Sequence, residues 1–338
     1  MVRETIGPYC PDPGIAYTIG MYLRGTEDEL LYTPGEHNAV NDLLRSPLGV
    51  FILARCIMEV SGMPPGMTLA DLNAAEGLAR CLQALSTRKA SSGCFDQLAP
   101  ERLSELIVHS EIDLTPYWDG YQRQAEVLLA SGAALRPFAD HLLQAAGTAT
   151  WFAELDRKRQ EWMSSAGLAP DASSFHPDLR SYGAGITKPR RALWTSTSMG
   201  EGSSGWLHYV HWGEDRWESP YLRWRLEVLA TARVYEVHGP QTWQALCLAY
   251  PAPSRLAYPV ETPAAVIEPD WQGVTQDWDG IHLSVGGLLT AERVRWGRPG
   301  AQAHLYGWGV ESTVWLRWVF GAVQRLPDGG ERDESQGS

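Results

Sequence analysis

The chain has 338 residues, 44% of them apolar, and a formal net charge of −12. That length points to about two domains with enough apolar material to bury a core. The acidic balance argues against a general nucleic-acid binder, which carries a basic footprint, and no run of roughly 18 apolar residues offers a membrane span.

The five cysteines (Cys10, Cys56, Cys81, Cys94, Cys247) are odd in number and show no CxxC spacing. They read as reduced thiols of a cytoplasmic protein, buried for structural reasons. The first residues lack a basic stretch followed by an apolar one, so no secretory leader is expected. Tryptophan is unevenly spread. Of 15, all but Trp118, Trp151 and Trp162 lie after position 190, a change of composition that itself suggests two domains.

In chain order, the Gly-, Pro- and Tyr-rich start contains GIAYTIGMYLRG from Gly14, compatible with a short strand or docking arm. Asn38 is a good N-cap for a first helix. Ser46-Pro47 restarts it, with Pro47 at the first helical position, and LGVFILARCIMEV runs to Ser61-Gly62. That helix is apolar on most faces, so it should lie at the centre of the helical half. TLADLNAAEGLARCLQAL follows from Thr68. Further helices are expected at Pro100–Ser110, from Thr115-Pro116 through Leu129, at Ala133–Ala146 and at Thr148–Ser165, about six in all. In the last of these the RKRQ run reads as a solvated face beside Trp151, Phe152, Leu155 and Trp162.

Ala166–Asp178 is small, polar and interrupted by prolines, the composition of a linker. Beyond it the period changes. Strands are expected at Ala192–Ser198, Leu222–Val228, Ala232–His238, Ala264–Ile267 and Asp279–Ser284. WLHYVHWGE is a short helix or strand, and Pro240–Tyr250 a helix with proline at its start and Pro251 past its end. Gly286-Gly287 and Gly329-Gly330 read as turns. AHLYGWGVESTVWLRWVF (Ala303–Phe320) reads as a turn at Gly307 and Gly309 followed by a buried strand from Ser312 to Phe320.

The expected fold is therefore α+β, an N-terminal helical domain followed by a Trp-rich, mainly β domain without regular βαβ alternation. Residues 1–165 form the helical accessory domain and 166–178 the linker. Residues 179–328 form the α+β domain that holds any chemistry, and 329–338 a charged, disordered tail.

No HExxH, GxSxG, P-loop or GxGxxG before a helix is present. His208 and His211 share a helical face, but with three tryptophans and tyrosines between and around them they read as ordinary half-buried histidines, and no metal is expected. What stands out is Glu311, a single carboxylate at the head of the most apolar strand, where partial drying shifts a pKa and concentrates charge. The plain alternative is that Glu311 caps the strand or pairs with Arg317. Four stretches form the candidate constellation: TKPRRALWTSTS (Thr187–Ser198), Trp243–Pro251, WDGIHLS (Trp278–Ser284) and GWGVESTVWL (Gly307–Leu316).

A strand opening on Ser-Thr-Ser hydroxyls and a later strand opening on a lone Glu resemble the ADP-ribosyltransferase fold, over the second half of the chain. The resemblance implies NAD as the substrate and no metal. It implies Glu311 as the catalytic residue and Ser196, Thr197 and Ser198 as contacts to NAD. The family expects an arginine or histidine on an earlier strand; Arg180, Lys188, Arg190 and Arg191 are the available cations, with Lys188 and Arg191 taken as NAD contacts. His282, also taken as a contact, follows the hydroxyl strand rather than preceding it. Trp194 is the nearest aromatic wall for a stacked ring. The acidic residue often found two before the catalytic Glu is absent, since position 309 is glycine. The acceptor is open: a macromolecule, a small molecule or water, with nucleic acid only as a substrate.

In such a site nicotinamide leaves C1 of a ribose through an oxocarbenium-like transition state. A carboxylate offsets the growing charge, while hydroxyls and a cation position the substrate. Two non-catalytic readings stand beside this one. One is a recognition domain that holds a peptide, sugar or nucleotide on exposed tryptophans; the other is an adaptor that joins two structural halves. Convergence of Glu311, Ser196 and the Trp194 ring on one cleft favours the enzyme, and a salt bridge of Glu311 on the outside favours the binding module.

Overall fold

Helix α1 (Ala39–Arg45) starts where Asn38 accepts the Asn41 N–H at 3.1 Å, and α2 (Pro47–Ser61) where the Ser46 hydroxyl accepts the Gly49 N–H at 3.2 Å. Gly62 ends α2 in the left-handed region at φ 71°, as a C-terminal glycine does. The computed structural model describes residues 38–62, 93–114, 119–164, 169–183, 186–200, 203–212, 222–253, 266–298 and 301–327. The Gly14 stretch, the Thr68 helix and the C-terminal tail lie outside them. Helix α2 is buried on nearly every face, with α3 (Pro100–Asp113), α4 (Asp119–Ala130) and α5 (Gly132–Gln144) packed against it.

The helix expected over Thr148–Ser165 does not form. A 3-10 turn covers Ala146–Thr148, an irregular segment follows, and Gln160–Ser164 is strand β1. The spacing of Trp151, Leu155 and Trp162 imitates a helix, but QEWMS alternates faces, and its buried polar residues find partners on other strands.

After β1 come β2 (Asp178–Gly183), β3 (Ile186–Arg191), β4 (Leu193–Gly200), β5 (Ser203–Ser204), helix α6 (Gly205–Trp212), β6 (Leu222–Val228), β7 (Val234–Val237), α7 (Pro240–Ala249), β8 (Pro251–Pro253) and β9 (Val266–Pro269). The short helix α8 (Trp271–Val274), β10 (Gly280–Leu283), α9 (Val285–Ala291), β11 (Arg295–Arg298), β12 (Ala301–His304), β13 (Ser312–Trp315) and β14 (Phe320–Arg325) complete the order. The buried strand expected from Ser312 to Phe320 is thus two short strands. Gly286 and Gly287, expected in a turn, lie inside α9, which Ser284 caps by accepting the Gly287 N–H at 3.1 Å. A side chain on Gly287 would stand 2.1 Å from the Val237 carbonyl, so glycine lets α9 lie directly on the end of β7.

The larger sheet runs β14-β6-β1-β4-β13-β10-β7, with β5 on β4. Every pairing in it is antiparallel except β7 with β10. The fold is α+β, with helices first and strands after. Strands β11-β12-β9-β8 form a second sheet, and β2-β3 a separate hairpin.

Alternation sends Trp194, Val237, Ile281, Leu283 and Val314 to the face packed on the helices. Leu193, Trp224, Leu226, Trp315 and Phe320 form a smaller core on the other face. The larger core draws residues from before and after the expected linker alike. Residues 169–177, within that linker, hold no helix or strand. Yet β1, which precedes it, pairs with β4 and β6 in the middle of the sheet. Its Glu161 forms a buried ion pair with Arg223 of β6 at 2.7 Å. Across the same divide Arg293 holds Glu111 of α3 at 2.7 Å, and Gln241 donates to Asp42 of α1 at 3.1 Å. Among the described residues no helix is long and apolar enough to cross a membrane.

Candidate active site

Strand register assembles the site. Thr313 of β13 pairs with Thr195 of β4 and with His282 of β10, and His282 pairs with Glu236 of β7. Glu311, two residues before Thr313, is therefore level with Thr197, two residues after Thr195. The turn that delivers Glu311 is held at several points. Gly307 and Gly309 take positive φ, 86° and 77°. The Tyr306 and Gly307 N–H groups donate to Thr187 Oγ1 (2.9 Å) and to Glu292 Oε1 (2.6 Å).

Glu311 accepts four hydrogen bonds. The Ser196 hydroxyl (2.8 Å) and the Thr197 N–H (2.9 Å) reach Oε2, while the Thr197 hydroxyl (2.9 Å) and His282 Nε2 (3.1 Å) reach Oε1. The other ring nitrogen of His282 faces Glu236 Oε2 at 2.5 Å, and Glu236 Oε1 accepts the Leu155 N–H at 3.1 Å. Behind Thr197 the chain of donors continues. Gln160 Nε2 donates to Thr197 Oγ1 at 2.9 Å, Thr195 donates to Gln160 Oε1 at 2.6 Å, and Trp315 Nε1 donates to Thr195 at 2.8 Å. A continuous polar row thus crosses five strands, β1, β4, β13, β10 and β7. Its hydrogen bonds polarise one another in a low dielectric.

The electrostatics follow from these contacts. Burial alone would push the His282 imidazole down in pKa, but the hydrogen bonds and charges of Glu236 and Glu311 outweigh it and raise it to about 9. His282 is thus an imidazolium at neutral pH, donating from both nitrogens. For Glu311 burial pulls upward. The His282 hydrogen bond and charge, with the Thr197 N–H and the Ser196 hydroxyl, overcome it and hold the carboxyl below its ordinary range. The His282 side chain is 4% exposed and that of Glu311 12%, whereas Glu236 reaches 22%. The row therefore meets solvent at its carboxylates and is sealed at its histidine.

Of the residues singled out in the sequence, Glu311, Ser196, Thr197 and His282 come together in direct contact. Ser198 is buried further along β4, opposite Ser204 of β5. Trp194 is a core ring, edge-on to Trp308 at a 4.9 Å centroid distance, with the Lys188 ammonium 4.8 Å over its face. Lys188 and Trp194 thus meet each other, and the ring is only 7% exposed. Arg191 is exposed at the end of β3, in the separate hairpin, as is Arg190 before it. The place beside the hydroxyl strand where a cation was expected is taken on β1 by Gln160, opposite Thr197. Arg317 pairs with Asp279 at 3.2 Å, so it is not the partner of Glu311; a structural tie between strand ends remains the plain alternative.

Glu236 and Gln160 are the residues the sequence reading missed. For Glu236 a signal existed: within VYEVH, Glu236 and His238 fall on one face of an expected strand. Gln160 was hidden inside the expected helix. Among the described residues no group of three or more His, Cys, Asp or Glu side chains is arranged to hold a metal ion.

Comparison with known proteins adds nothing to this geometry: no family model, curated protein or solved structure matches the chain.

Proposed function

We propose that the chain cleaves the nicotinamide–ribose bond of NAD and transfers ADP-ribose to an acceptor. The observation that carries this reading is the state of Glu311, a carboxylate held ionised by four donors at the rim of a sheet. A carboxylate so well satisfied is a poor proton acceptor, which argues against a role in acid–base chemistry. A fixed negative charge suits a reaction whose transition state becomes positive. Cleavage of a glycosidic bond to a good leaving group is such a reaction, and it asks the protein for preorganised charge. The hydroxyls of Ser196 and Thr197 rotate without moving the backbone, so a ribose hydroxyl can replace one of them on Glu311 at little cost. In this reading Glu311 is the catalytic residue, with Ser196 and Thr197 orienting NAD and His282 holding Glu311 in position. The roles first given to Trp194, Ser198, Lys188 and Arg191 have no geometric support. The free, described cysteines Cys56, Cys94 and Cys247 suit the reducing cytoplasm.

A second reading, a non-catalytic recognition or adaptor domain, draws on the same four hydrogen bonds, because a fully satisfied carboxylate also serves as a structural tie. Nicotinamide release from NAD by the purified chain, measured with and without a cell extract as acceptor, separates the two. Turnover that Glu311→Gln lowers by about 10²-fold or more, with NAD binding retained, supports the enzyme. Release that needs the extract indicates a transferase, and release without it a glycohydrolase. No NAD binding by calorimetry and no release under either condition leaves the second reading.

A further inference from the structure

The row of residues just past the sheet end contains a second histidine. Register places Val237, Leu283 and Ser312 side by side on β7, β10 and β13. The next row is His238, Ser284 and Glu311, with Thr197 of β4 beside Glu311. At about 4.8 Å per strand, the backbones at His238 and Glu311 lie about 10 Å apart, with Ser284 between them, at the carboxyl ends of the two parallel strands.

Ser284 is the neighbour that sets the tautomer of His238. The Ser284 hydroxyl donates to the Val237 carbonyl at 3.3 Å and accepts the Gly287 N–H. With that proton on the Val237 carbonyl, Ser284 serves as an acceptor toward His238 Nδ1, 3.2 Å away. In this tautomer His238 donates from Nδ1 and carries its lone pair on Nε2, which makes no hydrogen bond to the described residues. The backbone on either side is fixed, since the His238 N–H and the Gly239 N–H both donate to Thr242 Oγ1 of α7.

We propose that His238 Nε2 is the general base of the transfer, taking the proton from an O–H nucleophile, either water or an acceptor hydroxyl, that attacks C1 of the ribose. This rests on the NAD-cleaving reading above. The balance is complete without a further reactant. The nucleophile's oxygen forms the bond to C1, the C1–nitrogen bond breaks with its electron pair going to nicotinamide, and the nucleophile's proton moves to Nε2.

The charges facing His238 are Glu236 on its own strand, His282 on β10 and Glu154 from the segment before β1. Burial, the largest influence, and the positive His282 outweigh the two carboxylates and hold His238 below the ordinary histidine range. The two histidines are thus driven apart, one charged and one neutral at the same pH. Such a separation marks a division of roles between a fixed charge and a base.

The test is the pH profile of nicotinamide release by the full chain, with ¹⁵N NMR of the histidine rings. We expect a wild-type acid limb whose midpoint lies below the ordinary histidine value, and a proton on Nδ1 but not on Nε2 of His238. His238→Ala should lose 10²-fold or more and the acid limb with it, bind NAD as before, and regain turnover with added imidazole. Glu311→Gln should lose turnover but keep the limb. A His238→Ala variant that retains the limb, or a ring protonated on Nε2, overturns the base while leaving NAD cleavage standing. A wild-type chain that releases no nicotinamide overturns both.

Discussion

Thr197 holds Glu311 twice, through its backbone N–H and through its hydroxyl, at 2.9 Å in each case. The two bonds reach different carboxylate oxygens, so they fix the plane of the group as well as its position. Thr197→Val keeps the N–H and the volume but removes the hydroxyl, and it leaves Gln160 Nε2 with only the Asp156 carbonyl as acceptor. A hydrogen bond to a charged group is worth about 1.5–3 kcal/mol. Chemical denaturation should therefore show a loss of that size, and nicotinamide release should fall by roughly tenfold or more. Thr197→Ser should restore most of both. A valine variant as stable and as active as the parent would mean that the hydroxyl does not hold Glu311.

The protonated His282 makes stability depend on alkali. Its folded pKa, about 9, exceeds the ordinary 6.5, so the folded chain holds the proton more tightly than the unfolded one. The stabilisation is fully present below 6.5 and is lost as pH rises through about 9, amounting to about 3 kcal/mol. Denaturation midpoints measured across that window should fall for the wild type. In His282→Gln they should be lower at neutral pH and flat across the window. An equal fall in both proteins would exclude His282 as the source.

Glu292 poses the opposite case. It is fully buried, and its Oε2 has no partner among the described residues. Burial first, and then the charge of Glu111, raise its pKa to about 8 against the pull of Arg293. Holding it neutral costs the fold nothing at low pH. The penalty grows as pH rises from the ordinary carboxyl value toward 8. Glu292→Gln keeps an acceptor for the Gly307 N–H and removes the titration. Its melting temperature should exceed that of the wild type at pH 9 and approach it at pH 5. A variant less stable at both would show that the charge is used.

Limited proteolysis bears on how the halves are joined. A cut between residues 169 and 177 falls in a segment without helix or strand, yet it separates β1 from its partners β4 and β6 in sequence only. The nicked chain should elute as one species under native conditions and part only in denaturant. A fragment beginning at residue 166 should be insoluble when expressed alone, because the sheet then lacks a central strand. Fragments that separate on native gel filtration would speak for independent domains.

Local rules carried the sequence reading where the signal was local. Asn38, Ser46-Pro47 and Gly62 set helix ends through their own hydrogen bonds and torsions, and the structure puts those ends where the residues predict. Glu311 and Ser196 were found because a carboxylate and hydroxyls are conspicuous in an apolar context. Gln160, Glu161 and Glu236 were not. A buried glutamine on a central strand makes sense only beside Thr195 and Thr197, and a buried glutamate only beside Arg223. Those partners are 35, 37 and 62 residues away. The sealed Trp194 likewise depends on Lys188 and Trp308. Polar residues in a sheet interior are specified by the neighbouring strands, which a linear pattern does not contain.

The packing of α2 bears on how the protein is made. Helix α2, made early in synthesis relative to its covers, rests on the backbone of α9, with Gly49 backed against the Leu289 carbonyl. About 240 residues separate the two, and at translation rates of about 5–20 residues per second that is a wait of roughly 12–50 s. Until then an almost wholly apolar helix has lost one of its covers, and the sheet cannot close because β13 comes later still. Nascent chains of this protein should therefore call on chaperones early, and substitutions that slow translation before residue 290 should lower yield without touching the finished fold.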